Sequence, residues 1–577
     1  MLLAACGPEP PPPSADSGSD TESDAGDVEP QDTSDTSDTS DTEDEDVDSC
    51  TPKTACEEGD CGSVDDGCGG TLDCGECRCE DGTPTQDECG ECGLGTLNCG
   101  VDETGDGTCV GPDLPGIELD ASDSVCEDAL IFVDSSVSSS GDGSRTSPYT
   151  SYAEATQDAT SGSIIILGAS QPYTEPIELK NGVSIIGGFG ASPTYEFSEG
   201  AQTKIEPPEQ PSGDVFGIRG DTIPDPTTLA NLEVTNPDAP AERSNYGAYF
   251  KDSPGVALRN VTIQAGQGGA GRDGGSGGDG ADGSPGEDGN NTYSGDDGGT
   301  NSTCPVANGG DGGRGAARLG GIVEPTDDGQ DSPGGARGGD GGTSGTLDSH
   351  KAGEAGEDGA AVDDGDSGDG GTSGGSVEND LWAPTQDATA GQAGDHGIGG
   401  GGGGGAYHGS ECEPQIYYPG PGGGAGGAGG CGGEPGEAGG PGGGSFGLFL
   451  IRSDIEMVES TFEAGVGGKG GNAGNGGRGG VGAEGLAGSD ESSQRCEGQL
   501  SSVTLDWSSG DGGDGSDGGD GGSGGGGAGG VSYGAYCFES SPNVDDATTF
   551  EGGGSAAGGS GGNPGGTGID EAQEGCN

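Results

Sequence analysis

Residues 246–249 read Tyr-Gly-Ala-Tyr, and the pattern returns as Phe-Gly-Leu-Phe at 446–449 and as Tyr-Gly-Ala-Tyr at 533–536. A unit that recurs after inserts of unequal length is typical of a solenoid, because each coil packs only on its neighbours. We predict three coils of one parallel solenoid whose Tyr, Phe, Ile and Val side chains point inward. Convergent low-complexity sequence is the alternative. A second apolar segment follows each copy: Val261-Thr262-Ile263, Thr461-Phe462 and Thr549-Phe550.

Short β-branched segments lie N-terminal to the first copy, separated by Gly, Pro, Asn and Asp. The capping box from Ser151 to Glu154 predicts one short helix, which ends at about Ala159. Short strands without long helices between them indicate an all-β solenoid, sandwich or barrel. The predicted strands are 130–133, 164–167, 177–179, 183–186, 204–205, 215–218, 229–234, 246–250 and 256–263.

Residues 130–205 resemble the opening segment of right-handed parallel β-helix proteins, the pectin-lyase-like class. The similar features are the strand Ile131-Phe132-Val133, a Ser-Gly-Asp-Gly turn at 140–143, the Gly-Ser-Ile-Ile-Ile segment at 162–166 and the Gly-Val-Ser-Ile-Ile-Gly-Gly-Phe segment at 182–189. This resemblance implies an all-β fold, a right-handed parallel β-helix over 127–570. Long glycine-rich inserts at about 267–444, 466–530 and 552–568 interrupt it.

The inserts repeat Gly in threes over 268–289, 424–442, 465–480 and 512–530. A period of three suits polyproline II, which has three residues per turn. A collagen triple helix is disfavoured, because the other two positions hold Gly, Asp and Ala and little Pro. Two alternatives stay open: a bundle of glycine-rich polyproline-II strands, or disorder in isolation with partial packing against the β-helix.

The first six residues end in Leu3-Ala4-Ala5-Cys6, which resembles the bacterial lipobox. The resemblance implies acylation of Cys6 and cleavage before it, although the charged and apolar parts of a full signal are missing. We therefore expect a truncated lipoprotein signal over 1–6. An acidic tether over 7–49 follows, and its Ser-Asp-Thr repeats lack the apolar residues that a core needs.

Residues 50–126 form a cysteine-rich module that we expect to be cross-linked by disulfides. The spacing of Cys74/Cys77 and Cys89/Cys92 would suggest a zinc ribbon in a cytosolic protein, but an exported chain with an even cysteine count favours disulfides. The part from Cys50 to Cys77 resembles a short Cys/Gly module of exported Gram-negative proteins. The disulfide candidates are Cys50, Cys56, Cys61, Cys68, Cys74, Cys77, Cys79, Cys89, Cys92, Cys99, Cys109 and Cys126.

The charge is strongly negative, with 103 Asp and Glu against 18 Lys and Arg, a formal net of −85. Such a surface repels phosphate, which excludes nucleic acid as a partner and disfavours anionic membranes. We expect no cofactor, with weak Ca²⁺ binding by scattered aspartates left open. Residues 277–282 are similar to a Ca²⁺-binding nonapeptide repeat, but Gly283 stands where that repeat needs a large apolar residue.

Candidate catalytic residues are few. β-Helix polysaccharide lyases combine acidic Ca²⁺ ligands with a basic residue, and Lys251, Arg259 and Arg452 lie near Asp252 and Asp454 on predicted coils. Nothing fixes two of them at one spacing in successive coils, so ordinary turn charges are the favoured interpretation and we assign no catalytic residue. The three histidines, His350, His396 and His408, lack a ligand partner at metal spacing, so we predict no metal site.

The sequence therefore predicts a non-catalytic structural or adhesive lipoprotein at the cell surface. Its expected location is the outer membrane, through the lipid anchor, with polysaccharide or other surface proteins as partners. The alternatives are a carbohydrate-active enzyme, a lyase or hydrolase, on the same scaffold and a carbohydrate- or ice-binding module. Stacked acid and base residues would favour the enzyme, and a flat face of repeated Thr or aromatic side chains would favour the binding module.

Overall fold

The computed structural model describes residues 130–168, 171–198, 200–287, 294–319, 322–341, 351–407, 420–492 and 506–576. It also describes the backbone of five short strands between residues 63 and 110. The chain divides into two compact units, Met1–Cys77 and Arg78–Asn577. In the described part of the first unit, β1 (Ser63–Asp65) pairs antiparallel with β2 (Thr71–Asp73).

The second unit begins with a three-stranded antiparallel sheet of β3 (Glu88–Cys89), β4 (Gly95–Asn98) and β5 (Thr108–Val110). Among the described residues of its larger part, strands are many and helices few. Helix α1 spans Tyr152–Asp158, and a 3-10 turn spans Pro305–Ala307. The remaining strands are β6 (Leu130–Asp134), β7 (Ile164–Gly168), β8 (Ile177–Glu178), β9 (Ser184–Phe189), β10 (Thr203–Ile205), β11 (Val215–Asp221), β12 (Thr227–Thr235), β13 (Asn245–Lys251), β14 (Val256–Gln264), β15 (Ala317–Leu319), β16 (Ile322–Glu324), β17 (Gly375–Glu378), β18 (Leu381–Pro384), β19 (Ser445–Ile451), β20 (Glu456–Val458), β21 (Thr461–Glu463), β22 (Asp490–Ser492), β23 (Asp506–Ser508), β24 (Ser532–Phe538), β25 (Asn543–Val544), β26 (Thr549–Glu551) and β27 (Asp570–Glu574).

Two parallel sheets dominate this unit. One has ten strands and runs β25-β20-β14-β12-β9-β7-β6, with β10, β21 and β26 paired beside that path. The other has six strands in the order β27-β24-β19-β13-β11-β8. Every pairing within these two sheets is parallel, which fits strands that return to the same place coil after coil. The arrangement is compatible with a β-helix-like fold.

The main core lies between the two sheets. It is a continuous apolar cluster to which both contribute, with Ile185, Leu229 and Leu258 from the larger sheet and Phe250 and Leu450 from the smaller one, all 0% exposed. Helix α1 adds Tyr152 and Ala155 to this cluster. As predicted, the Ser151 hydroxyl caps the helix by accepting the N–H of Glu154 at 3.3 Å.

The three copies of the repeat pair in the predicted register. Tyr246 faces Phe446, which faces Tyr533, and the second aromatic residue of each copy does the same. The following apolar segments also pair, with Ile263 beside Phe462 and Phe462 beside Phe550. The prediction that these distant segments stack directly on one another is thus confirmed.

The aromatic side chains of the repeat do not point inward as predicted. Ala248 and Phe250 enter the core between the sheets, whereas Tyr246 and Tyr249 belong to a separate cluster on the other face of the six-stranded sheet. Gly247 has no paired residue on either neighbouring strand, so it is an extra residue in the alternation of side chains between the two faces of the sheet. Only glycine fits there, because a Cβ would lie 2.5 Å from Ile263 Cγ2 and 2.7 Å from the Gly447 carbonyl oxygen. One glycine thus returns the second aromatic residue to the outer face.

The turns after the six-stranded sheet also repeat. Asp252, Arg452 and Glu539 all have left-handed backbones, with φ of 49°, 48° and 52°. A buried serine follows each. The N–H of Ser253 donates to the hydroxyl of Ser453, and the N–H of Ser453 donates to that of Ser540, each at 2.9 Å. These bonds satisfy backbone groups that the ladder leaves unpaired at the corner.

The glycine-rich inserts form an ordered bundle, which matches the polyproline-II alternative. Segments 268–283, 466–486 and 425–443 form a closed triangle. The N–H of Gly271 donates to Lys469 (2.8 Å), that of Gly471 to Gly440 (2.9 Å) and that of Gly440 to Arg272 (2.8 Å). Each bond recurs at every third residue along all three segments. Disorder, the other alternative, does not describe these segments.

Segment 420–444 lies inside the bundle and donates in three directions. N–H groups of 424, 427, 430 and every third residue to 442 bond to segment 510–528. Those of 428, 431 and onward to 443 bond to segment 269–284, and those of 420, 423, 426 and 429 bond to segment 307–316. Three residues per turn rotate successive N–H groups by about 120°, so each third faces a different neighbour. The bundle therefore needs no apolar core to hold it.

Aspartates of neighbouring segments accept backbone N–H groups that no carbonyl accepts. Beside segment 464–489, the N–H groups of Gly470 and Ala473 donate to backbone carbonyls of 557 and 560. Beyond that neighbour the acceptors are carboxylates, each at 2.8 Å: Asp520 for Gly479, Asp517 for Gly482, Asp514 for Gly485 and Asp511 for Gly488. A second row, Asp273, Asp279 and Asp282, accepts from Asn472, Arg478 and Val481. These aspartates thus satisfy backbone donors of the bundle.

Candidate functional site

The structure brings together two of the three candidate basic residues. Arg452 forms a two-pronged pair with Asp252, with Nε–Oδ1 at 2.7 Å and Nη2–Oδ2 at 3.0 Å. Asp380, from the β17–β18 hairpin, lies 3.2 Å from Arg452 and 3.2 Å from the Lys251 ammonium. Asp221 adds a longer contact to Lys251 at 3.6 Å. The sequence offered no signal that an insert 70 residues upstream of Arg452 would supply the bridging carboxylate, Asp380.

These groups hold one another in their charged forms. The hydrogen bond to Asp252 raises the pKa of Arg452, and that to Asp380 raises the pKa of Lys251. The Arg452 hydrogen bond lowers the pKa of Asp252, and the Lys251 hydrogen bond, followed by that of Arg452, lowers the pKa of Asp380. A general base or acid needs a pKa near the working pH, and each of these pKa values is displaced away from neutrality.

The other candidates are placed separately. Arg259 pairs with Glu456 at 3.1 Å, one strand over in the ten-stranded sheet. Asp454 accepts the N–H of Ser541 at 2.6 Å at a turn. Neither contact includes Lys251 or Arg452, so the five residues form no single constellation.

The outer face of the six-stranded sheet carries a ladder of stacked rings. Tyr246 stacks on Phe446 at 5.2 Å and 11°, and Phe449 stacks on Tyr536 at 5.1 Å and 14°. Phe216 extends the first row at 5.0 Å and 8°. Stacked rings use their faces on each other, so those faces are not available to a sugar ring.

The hairpin of β17 and β18 covers this ladder. Trp382 is 8% exposed and packs at 5.3–6.2 Å against Phe446, Tyr533 and Tyr536. Its backbone N–H donates to the Tyr246 hydroxyl at 2.9 Å, and the Tyr249 hydroxyl donates to the Asp380 carbonyl at 2.9 Å. Burial raises the pKa of Tyr249 to about 12. The cluster of charges around Arg452 therefore serves as one edge of a covered apolar patch.

A cavity of about 350 Å³ lies at the C-terminal end of the core. Leu448, Met457, Val544 and Phe550 line it, and the Cys537–Cys576 disulfide borders it. Its walls carry no carboxylate or basic side chain. It is the space left where β25, β26 and β27 end the two sheets.

A second disulfide lies inside the bundle and was not predicted. Cys304 and Cys431, both 3% exposed, are joined across 127 residues. His396 lies beside them, so that one ligand atom from each of the three residues falls within 4.8 Å of the others. Nothing in the sequence indicated this cluster, because its members are far apart along one long glycine-rich insert, with a sequence separation of 127 between the two cysteines.

The predicted N-terminal sites lie outside the described residues. This holds for Cys6 and for ten of the twelve cysteines of 50–126, while Cys89 and Cys109 fall on β3 and β5, where only the backbone is described. Lipidation and disulfides at these positions remain predictions. His350 and His408 also lie outside the described part. Among the described residues, no helix has the length and apolar character needed to cross a membrane.

Comparison with known proteins adds little. No protein-family model matches the chain, and no curated protein does. Among solved structures, a GH136 lacto-N-biosidase from Eubacterium ramulus aligns with 23% of this chain and 27% of its own, at 17% identity and a TM-score of 0.18. A likeness this weak carries no argument about fold or activity. The fold and its sites define an all-β protein of parallel sheets with a glycine-rich bundle.

Proposed function

We propose that this protein is a non-catalytic, structural or adhesive lipoprotein of the cell surface. We also propose that its two parallel sheets form a right-handed β-helix of the pectin-lyase-like kind, held to the outer membrane through Cys6. The observation that carries the proposal is the three-residue hydrogen-bond network that joins the long inserts into one bundle. Because long parts of the chain are joined by backbone hydrogen bonds rather than arranged around a cluster of reactive side chains, a role as a scaffold is favoured.

Two features of the surface support this role. Carboxylates accept backbone donors along the bundle, which favours an acidic, well-hydrated exterior and leaves fewer donors open to self-association. Disulfides at Cys304–Cys431 and Cys537–Cys576 suit an exported protein. Both features favour persistence outside the cell.

The enzyme alternative receives less support. Lys251 and Arg452 are the two candidate bases that share a carboxylate, Asp380, and their ion pairs favour their protonated forms. A lyase needs a neutral base to remove a proton from its substrate. The carbohydrate-binding alternative needs aromatic rings with exposed faces, whereas the faces of the ladder rings are stacked on one another.

The test uses the full-length gene in a Gram-negative host, with its upstream codons restored. We expect wild-type protein to pellet with outer membranes and to be labelled on intact cells by an impermeant reagent. The Cys6→Ser variant should be released, while Cys126→Ser, which removes a cysteine of the module, should stay bound. Pelleting of Cys6→Ser would contradict the anchor. Turnover of a polysaccharide panel, with and without Ca²⁺, that is abolished by Lys251→Ala would contradict the non-catalytic role.

A further inference from the structure

The disulfide Cys304–Cys431 has surroundings that a purely structural cross-link does not need. Asn301 is 4% exposed, and its amide nitrogen donates to the carbonyls of Ala281, Asp282 and Gly429 at 3.2–3.3 Å. Those bonds fix the amide so that its oxygen, Oδ1, lies 3.3 Å from Cys431 Sγ. A polar acceptor is therefore held against a buried sulfur atom.

The imidazole of His396 is fixed on the other side of the pair. Its Nδ1 accepts the N–H of Gly432, the residue after Cys431, at 3.0 Å. Nδ1 is therefore the unprotonated ring nitrogen, with its lone pair engaged by the Gly432 N–H, and an unprotonated nitrogen is what histidine offers to a metal. His396 is exposed whereas both cysteines are buried, so an ion from solvent would meet the imidazole first.

The other disulfide provides a contrast. Cys537–Cys576 joins β24 to the residues that follow β27. Among the described residues, no histidine forms a ligand cluster with this pair. A cross-link alone accounts for that pair. The histidine and the buried amide distinguish the pair inside the bundle.

We propose that Cys304, Cys431 and His396 form a binding site for a thiophilic divalent ion such as Zn²⁺ when the disulfide is reduced. Two thiolates and one imidazole are a common ligand set for zinc, with water in the fourth position. Asn301 Oδ1 would accept the thiol proton of Cys431 in the reduced, metal-free protein. The ligand atoms already lie within 4.8 Å of one another, so the fold places all three side chains within reach of one ion.

The chemistry balances in two steps. A dithiol reductant passes two electrons and two protons to the S–S bond, giving two cysteine thiols, and itself becomes a cyclic disulfide. Binding of Zn²⁺ then releases both thiol protons and forms two S–Zn bonds, while Nδ1 gives up the hydrogen bond that it accepts from the Gly432 N–H and binds the metal through the same lone pair. Disulfide and metal site are thus mutually exclusive states of the same residues. This inference does not depend on the proposed function.

The experiment uses full-length protein reduced with a trialkylphosphine, which takes up oxygen from water as the S–S bond gains two hydrogens. Co²⁺ is the probe, because thiolate ligation gives a charge-transfer band. We expect wild type to bind one Co²⁺ more than Cys304→Ser/Cys431→Ser. The charge-transfer band should be correspondingly weaker in that double variant. Cys537→Ser/Cys576→Ser is the matched control and should keep that ion. His396→Gln should weaken binding at this site by about tenfold or more.

A second measurement needs no variant. Reduced wild-type protein is alkylated with and without Zn²⁺, and the modified cysteines are mapped by mass spectrometry. Zinc should protect Cys304 and Cys431 together. The proposal would be overturned if Cys304 and Cys431 were alkylated to the same extent with and without Zn²⁺. Equal Co²⁺ stoichiometry in wild type and in Cys304→Ser/Cys431→Ser would also overturn it.

Discussion

Gly474 and Gly275 are neighbours in the bundle, yet they tolerate a side chain differently. A Cβ on Gly474 would lie 1.8 Å from the carbonyl oxygen of Gly275, a backbone atom. A Cβ on Gly275 would meet only the carboxylate of Glu437, at 3.1 Å, and that side chain can move. Neither glycine has a left-handed backbone, so space rather than conformation requires glycine at 474.

We expect Gly474→Ala to loosen the bundle and Gly275→Ala to be tolerated. The first substitution must push two backbones apart and break the bonds around them, for a loss of about 2 kcal/mol or more. Hydrogen exchange of the amides in 464–489 measures this locally. Equal protection in both variants would show that close approach of the backbones does not hold the bundle.

Phe449 tests the outer ring ladder at the same scale. It is 0% exposed and stacked between Tyr249 and Tyr536. Phe449→Asp buries an unpaired charge there and should destabilise the protein by several kcal/mol, about 3 or more. Chemical denaturation measures the change. Val481→Asp, at a side chain 59% exposed, is the control and should be nearly silent; similar losses in both would argue against the ladder.

The carboxylates around Arg452 give the stability a pH dependence. The pKa values of Asp252 and Asp380 are lower in the folded protein than their ordinary 3.8. Their contribution is therefore complete above the ordinary pKa and is lost as the pH falls through the lowered folded values. Because these side chains are 36–39% exposed, the effect is small, about 1 kcal/mol or less.

Urea denaturation of wild type and Asp252→Asn at several pH values checks this. The variant should be less stable at pH values above about 5, and the gap should narrow as the pH falls below the ordinary pKa of 3.8 and through the lowered folded pKa of Asp252. The exposed Asp546→Asn should follow wild type throughout. If the difference in unfolding free energy between wild type and Asp252→Asn were the same at every pH, the ion pair would not be the source of the pH dependence.

At the scale of elements, the β17–β18 hairpin is the part that sequence reasoning missed most completely. It lies deep in a glycine-rich insert, and Trp382 is one of only two tryptophans in the chain. Nothing local indicates that it packs on strands β19 and β24, which follow it by more than 60 residues. Long-range packing of this kind has no periodic signal in the sequence.

The strands themselves were more predictable. All nine strand segments predicted between residues 130 and 263 fall on or overlap β6 to β14, because β-branched runs bounded by turn residues are a strong local signal. The direction of Tyr246 and Tyr249 was predicted wrongly, because an extra residue at Gly247 reverses the alternation and does not change composition. Whether the inserts are ordered could not be decided from the sequence either, since glycine at every third position suits both a bundle and a disordered chain. The Cys304–Cys431–His396 cluster depends on that bundle and was equally hidden.

Removal of Trp382 tests the hairpin as a cover. Trp382→Ala should destabilise the protein by about 3 kcal/mol, the low end for a buried aromatic residue. It should also increase binding of an apolar fluorescent dye, since edges of Phe446, Tyr533 and Tyr536 become accessible. Leu381→Ala, at a half-buried neighbour, is the control and should change dye binding little. Dye binding equal to that of wild type would mean that the hairpin is not the cover.

At the scale of the whole molecule, two kinds of order meet in one chain. The two parallel sheets enclose an apolar core, while the bundle is held by backbone hydrogen bonds with glycine where the segments approach closely. The chain passes from one to the other at fixed points, such as Gln264 to Gly268, where strand pairing gives way to three-residue bonding. Each coil of the solenoid needs only its neighbours, so long inserts between coils are compatible with a continuous core.

Deletion of most of the longest insert separates these two kinds of order. The N–H of Gly440 donates to the carbonyl of Arg272 at 2.8 Å, so residues 273–439 can be removed and the ends joined by a short turn. The core between the sheets keeps all its members, because none of them lies in the deleted range. A shorter loop also costs slightly less entropy to close. We expect the β-sheet circular dichroism and a cooperative melt to survive, at a lower melting temperature, since Trp382 no longer covers the ladder. Exchange protection of the glycine amides in 464–489 should fall, because segment 425–439 no longer accepts their hydrogen bonds. Loss of the cooperative melt would reverse the assignment and make the glycine bundle the framework on which the sheets depend.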